Sequence, residues 1–148
     1  MIWSLFAKKK ANETPSIVDA IELLSTDPSA RSRNAFYDSL KTGQLFIASR
    51  DVSQSWEEGP LTLQQAAAIP VLTTSSPDGG EALLAFTCHA EALRRTPTVC
   101  TFSMEAKDVL YLVLENNLSG LIVNPAGPWA GVPTADIHAI LEHPLAGS

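Results

Sequence analysis

Hydrophobic and polar positions alternate with the spacing of strands and helices through the second half of the chain. Residues 69–74 and 81–87 are apolar runs joined by a Ser-Ser-Pro-Asp-Gly-Gly turn, which predicts an antiparallel β-hairpin. A short helix, a strand at residues 98–102, a long apolar helix and a strand at residues 121–123 follow. This order predicts a hairpin followed by two strand–helix–strand crossovers.

The first half of the chain shows helical spacing before its first strand. Residues 15–24 and 29–41 place apolar side chains three and four positions apart, which predicts two amphipathic helices. Their expected core positions are Ile17, Val18, Ile21, Leu24, Phe36, Tyr37 and Leu40. Residues 44–49 are predicted to form a strand, and residues 50–60 a surface loop. Residues 61–68 fit either a short helix or an irregular strand.

Helix ends are predicted from the residues that flank the helical stretches. Gly43 is expected to end the second helix as a left-handed cap. Thr87, Ser103 and Thr134 each precede a helical stretch, and each is predicted to cap it with its hydroxyl group. The helix after Ser103 is apolar on nearly all sides, so we expect it to lie deep in the core or against a partner.

These elements predict a single α/β domain, with a mixed β-sheet of about five strands and helices packed on it. Residues 1–28 are expected to form an N-terminal arm and helix, and residues 29–148 the globular domain. The chain starts MIWSLFAKKK, with its charges after the apolar residues, the reverse of a secretory signal. This arm is expected to pack on the domain or be left mobile; contact with a membrane surface or a second subunit is the alternative.

Four blocks of sequence, taken in order, carry a resemblance to a known family. The blocks are FY followed by Leu40, QLFI at residues 44–47, AFT at residues 85–87 and GLIVNP at residues 120–125. Over residues 34–142 the chain resembles the SseB N-terminal domain family, the "enhanced serine sensitivity protein B"-like group. The resemblance implies a small bacterial cytoplasmic α/β domain and no established activity. Residues 50–68 depart from the family pattern, which has a shorter route to the hairpin.

Composition narrows the class of partner. The 148 residues are 45% hydrophobic and 18% charged, which suits one globular domain, and the formal net charge is −6. Residues 75–148 hold eight acidic and three basic side chains. Because a phosphate backbone needs clustered Lys and Arg, no nucleic-acid partner is expected, whereas a basic protein is electrostatically easier. No stretch has the apolar length of a membrane span, and the cytoplasm is the expected location.

No reactive constellation is visible in the chain. Cys88 and His89 are adjacent, which points their side chains apart in a strand or a helix. His138 and Glu142 lie one helical turn apart, but a zinc site needs three or four ligands. Cys88 and Cys100 are expected to be reduced and buried, as in cytoplasmic proteins. No catalytic residue, metal site or cofactor is therefore predicted.

The best candidate binding site is the segment at residues 124–133, which reads NPAGPWAGVP. It follows the carboxyl end of a predicted parallel strand, where open α/β sheets tend to place ligands. Asn124, Pro125 and Trp129 are its predicted binding residues, and Trp56 in the polar loop is a fourth. Trp is a frequent interface anchor. The alternative is a rigid loop whose Trp covers the sheet edge.

The sequence therefore favours a non-enzymatic protein-interaction domain, such as an adaptor or an immunity-type inhibitor. Its partner is expected to be another protein, with self-association as a further possibility. A small-ligand sensor that uses the segment at residues 124–133 is one alternative. An uncharacterised enzyme is the other.

Overall fold

The computed structural model describes residues 16–50, 61–76, 79–96 and 98–142, which form six helices and six strands. In chain order these are α1 Ile17–Thr26, α2 Ala30–Thr42, β1 Gln44–Ser49, α3 Leu63–Ala67, β2 Thr73–Ser75, β3 Glu81–Ala85, α4 His89–Arg95, β4 Cys100–Glu105, α5 Ala106–Glu115, β5 Gly120–Val123, β6 Ala130–Pro133 and α6 Thr134–Glu142. The predicted mixed α/β class is confirmed. The N-terminal arm up to residue 15 and the predicted surface loop with Trp56 lie outside the described residues.

The strands form two sheets that meet through backbone hydrogen bonds. β1 pairs antiparallel with β4, and the second sheet has the order β2-β3-β5-β6. Within the second sheet only the β3–β5 pair is parallel; the predicted hairpin pairs β2 antiparallel with β3, and β6 pairs antiparallel with β5. Phe46 and Phe86 exchange two backbone hydrogen bonds, of 2.7 and 2.8 Å, and so link the sheets.

Two features of this topology differ from the sequence-based prediction. β4 does not belong to the sheet that contains the hairpin. Both edges of β3 are occupied by β2 and β5, and β4 pairs with β1 instead. β6 lies inside the stretch that was expected to be a loop. Its Gly131 and Pro133 lower strand propensity, but proline is tolerated on an edge strand, and β6 is one.

The core is centred on α5. This helix contacts β1 and β4 of one sheet and β5 of the other, together with α2, α3 and α6. Its buried residues are Ala106, Val109, Leu110, Leu112 and Val113. The prediction of a deeply buried helix is therefore confirmed, and α5 holds the two sheets around one main hydrophobic cluster.

The first helix buries a narrower stripe than its sequence pattern predicts. Ile17, Ala20 and Ile21 are buried, but Val18 is 44% exposed, so its assignment to the core was wrong. α1 packs mainly on α2, and Val18 lies about 100° around the helix from Ile17. Ser16 caps α1 by accepting a hydrogen bond of 3.1 Å from the backbone N–H of Asp19.

Several predicted helix ends need correction. Gly43 follows α2 in an extended conformation, with φ −86°, and not in the left-handed region. Glycine is needed there for space, because a Cβ atom would lie 2.6 Å from Ile17 Cδ1. Ser103 lies within β4 and caps nothing. The open choice at residues 61–68 resolves to helix α3, whose Thr62 and Gln65 form a reciprocal capping box.

Candidate functional site

The two faces of the four-stranded sheet are covered to different extents. Leu83, Leu121 and Val132 point into the main core. On the opposite, outer face, Ala92 of α4 packs with Leu84, so α4 covers that part of the face. The rest of the outer face, towards the start of β3 and β5, is lined by small residues.

A cavity of about 590 Å³ lies against this uncovered end and extends to the start of α2, and we call it the outer groove. The sheet contributes Ser76, Ala82, Ser119–Ile122 and Trp129–Pro133, while α1, the turn after it and α2 contribute Leu24, Pro28 and Arg33. Most of these side chains are apolar or small. The groove is therefore a shallow apolar depression, with one charged group among its described lining residues.

Close backbone approach explains why the groove contains glycine. A Cβ atom on Gly120 would lie 2.7 Å from the carbonyl oxygen of Val132 on the neighbouring strand. A Cβ atom on Gly131 would lie 3.3 Å from Cζ3 of Trp129. The indole ring therefore lies beside Gly131, at the side of the groove, and is still 61% exposed. The ring of Trp129 is thus exposed and also lies against the edge strand, and its role as a binding anchor stays a prediction.

Asn124 supports the segment that carries Trp129. It is only 7% exposed and has a left-handed backbone, with φ 55°. Its Oδ1 accepts a hydrogen bond of 3.0 Å from the backbone N–H of Thr87, and its Nδ2 donates one of 2.9 Å to the Thr87 hydroxyl. The oxygen and the nitrogen of the Asn124 side-chain amide therefore both have partners. Asn124 thus links the end of β5 to Thr87, which follows β3. The same contacts occupy Thr87, which does not cap α4; Cys88 is at that position and makes no side-chain cap.

Arg94 is a second support that the sequence pattern did not indicate. Its Nη1 donates to the carbonyl oxygen of Gly127 at 3.0 Å and to both carboxylate oxygens of Glu91 at 3.0 and 3.1 Å. Its Nη2 donates to the carbonyl oxygen of Ala126 at 3.4 Å. Arg94 lies in the last turn of α4, where a cation suits the helix dipole, and the contacts show that it also holds the turn before Trp129.

The predicted site residues therefore have different positions. Trp129 borders the outer groove with an exposed side chain. Asn124 is buried and bonded to Thr87, and Pro125 is half-buried in the turn. Trp56 lies outside the described residues. Sequence reasoning missed Arg33 and Leu24, because they come from α2 and α1, about a hundred positions before Trp129, and no local pattern links them to it.

One further polar contact lies near Arg33 and joins the side chains of Tyr37 and Asp136. The Tyr37 hydroxyl, one turn along α2 from Arg33, donates to the Asp136 carboxylate of α6. Burial, followed by the hydrogen bond and charge of Asp136, raises the pKa of Tyr37 above its ordinary value. Tyr37 is thus protonated at neutral pH, and its hydrogen bond links α2 to α6.

The other chemical candidates do not assemble into a site. Cys88 is exposed and Cys100 half-buried, so the prediction that both thiols are buried was wrong for Cys88, which begins α4 at the surface. His89 Nδ1 lies 2.8 Å from the Thr101 hydroxyl. Among residues 16–50, 61–76, 79–96 and 98–142, no group of three or more His, Cys, Asp or Glu side chains could hold a metal ion. No helix in these ranges is long and apolar enough to cross a membrane.

The described residues form a small mixed α/β domain whose four-stranded sheet is only partly covered on its outer face. The family model of the SseB protein N-terminal domain matches residues 17–138. The match covers most of the chain, which therefore belongs to the SseB N-terminal domain family. The match begins with α1, whose buried residues are part of the main core. The chain matches no curated protein and no solved structure.

Proposed function

We propose that this chain is a non-enzymatic protein-interaction domain of a bacterial cytoplasmic protein, which binds its partner through Trp129 and the outer groove. One observation carries the proposal. Trp129 is the most exposed of the large hydrophobic side chains in the described part of the chain, yet the turn before it is held by Arg94 and Asn124. An ordered loop loses little entropy on binding, so its contacts contribute more fully to affinity.

Charge supports a basic partner in an adaptor or immunity-type complex. The formal net charge of −6 would speed the approach of a basic protein. The groove itself is mostly apolar and its charged lining residue is Arg33. The acidic surface would therefore steer the encounter, while the groove and Trp129 would provide short-range affinity.

The test compares three baits in parallel affinity captures: the native chain, Trp129→Ala and Tyr111→Ala. Tyr111 is a matched control, because it is an exposed aromatic side chain on α5 and does not line the groove. A hot-spot Trp should contribute about 2 kcal/mol or more, a weakening of about thirtyfold. The expected result is a protein captured by the native chain and by Tyr111→Ala but lost with Trp129→Ala.

Melting curves of the three chains complete the test. Trp129→Ala should melt within a few degrees of the native chain, because its ring is mostly exposed. Core aromatic truncations typically lower the free energy of unfolding by about 3–5 kcal/mol. If Trp129→Ala loses that much stability and still captures the same proteins, the ring is structural and the proposal is wrong.

A small-ligand sensor is the second candidate, and the size of the groove favours it. Its volume of about 590 Å³ lies within the roughly 300–1,000 Å³ of ligand sites. A ligand that raises the melting temperature of the native chain and of Tyr111→Ala, but not of Trp129→Ala, would favour sensing over protein binding.

A further inference from the structure

Each of the two sheets has two outer edges, at β1 and β4 in one sheet and at β2 and β6 in the other. The β4 edge has a neighbour at one point, where the N–H of Leu61 donates to the carbonyl oxygen of Ser103 at 2.8 Å. The β1 edge and the hairpin sheet are joined just before β2, where the N–H of Leu72 donates to the carbonyl oxygen of Ala48 at 2.8 Å and Ser49 bridges Val71. β6 is the end strand of its sheet, and nothing in the described parts of the chain pairs with its outer side.

We infer that β6 receives an extended segment of the partner protein as an added β-strand, with side chains of that segment in the outer groove. This inference rests on the proposed function and specifies its binding mode. The unpaired N–H and C=O groups of an edge strand are best satisfied by another strand. All four residues of β6 line the groove, so an added strand would run beside it over about 13 Å.

The lining of the groove indicates the side chains that the segment carries. Alternate residues of a strand share one face, so two or more side chains of the segment would point towards the groove. The exposed ring of Trp129 and the half-buried Ile122 favour an apolar side chain. The guanidinium of Arg33 favours a carboxylate. The segment should therefore combine an apolar residue and an Asp or Glu on the same face.

The size of β6 favours a short segment over a second copy of the chain. β6 has four residues and ends at Pro133, which has no N–H to donate. Pairing of two such strands would bury little of the roughly 800 Å² per partner that stable complexes need. A short linear segment can instead combine a few main-chain bonds with side chains in the groove.

The probe is a phage-displayed library of random linear peptides of about eight residues, selected on the full chain, with the best peptide then synthesised. Its affinity is measured by calorimetry for the unmodified peptide and for versions that are N-methylated at one backbone nitrogen at a time. The expected result is a loss of about tenfold or more at alternate positions and little loss between them, because only every second N–H of a strand faces its neighbour.

Variants of the chain test the side-chain assignments. Trp129→Ala should weaken the unmodified peptide about tenfold or more. Arg33→Ala should weaken it about threefold to tenfold, and the effect should vanish when the acidic residue of the peptide is replaced by its amide. Arg31→Ala is the matched control: Arg31 is an exposed residue of the same helix, outside the groove, and its loss should leave affinity unchanged.

Four outcomes would overturn the inference. N-methylation without an alternating pattern, or a failure to select any Trp129-dependent peptide while Trp129-dependent protein capture succeeds, rejects strand addition but leaves the proposed function standing. A dimer in sedimentation experiments that Trp129→Ala disrupts would make a second copy the occupant. Competition by a peptide with the sequence of residues 1–10 would make the chain's own N-terminal segment the occupant.

Discussion

The two faces of the four-stranded sheet are made from the same strands but differ in side-chain size. On the covered face, β3, β5 and β6 carry Leu83, Leu121 and Val132, which pack in the main core. At the open end of the outer face, the same strands carry Ala82, Gly120 and Gly131, which border the groove. The alternation along these strands therefore forms a groove as well as a core, because small residues leave room beside the ring of Trp129.

The largest expected effect compares neighbouring residues of β5 that point to opposite faces. Leu121→Ala should lower the free energy of unfolding by about 2–5 kcal/mol, because Leu121 is 1% exposed in the core. Ile122→Ala, on the half-buried outer face, should cost clearly less. Denaturant unfolding of both variants measures the difference, and equal losses would show that the outer face is as tightly packed as the inner one.

The second comparison concerns the two glycines of the groove. Gly120→Val should destabilise the fold by about 3 kcal/mol, since even its Cβ atom would lie 2.7 Å from a backbone oxygen of β6. Gly131→Val meets the edge of the exposed Trp129 ring instead, and should cost less than about 1 kcal/mol. Thermal melts of the pair test this order, which a larger loss at Gly131 would contradict.

The third comparison uses two asparagines with positive φ. Asn124→Gly keeps the backbone conformation but removes both bonds to Thr87, and should cost about 2 kcal/mol of stability. Asn117→Gly is the control, because Asn117 has φ 54° but an exposed side chain, and its stability should be nearly unchanged. Similar losses in both variants would mean that the Thr87 contacts contribute nothing.

The smallest expected effect lies on the covered face, where Tyr37 joins α2 to α6. Tyr37→Phe should cost about 1 kcal/mol at neutral pH through the lost hydrogen bond to Asp136. Tyr111→Phe, an exposed control, should cost nothing measurable. Chemical unfolding at pH 7 compares them.

The same pair gives a prediction for alkaline pH. Burial and Asp136 raise the pKa of Tyr37 in the folded state, so above about pH 10 the unfolded chain loses this proton first. The contribution of Tyr37 to stability is thus complete below that pH and falls as pH rises towards the folded-state pKa. Tyr37→Phe should remove that part of the alkaline loss, whereas Tyr111→Phe should retain it.

Local pattern predicted the elements better than their neighbours in the sheets. Helices α1 and α2 and strand β1 were found within two residues of their ends, because capping residues and apolar spacing are encoded locally. The pairing of β4 with β1 was missed, since it depends on which strand edges are already occupied. β6 was missed because Gly131 and Pro133 resemble a loop when the neighbouring strand is unknown.

In the candidate site too, local features were predicted and long-range contacts were not. Trp129 was identified from a single segment, and its role in binding stays a prediction. The contacts that shape the site were not visible in the sequence: Asn124 reaches Thr87, thirty-seven positions away, and Arg94 reaches Gly127, thirty-three positions away. Such pairs are set by the packing of α4 against the sheet, which residue spacing does not encode.

The pairing of β1 with β4 has a consequence for synthesis of the chain. Ser49 pairs with Cys100, fifty-one positions later, so β1 leaves the ribosome long before its partner exists. At about 5–20 residues per second, this strand waits about 3–10 s without that neighbour. During this interval the apolar side chains of β1, such as Leu45 and Ile47, have neither β4 nor α5 to cover them. We therefore expect the nascent chain to be most prone to aggregation, and most in need of chaperones, until residues 100–115, which form β4 and α5, have emerged.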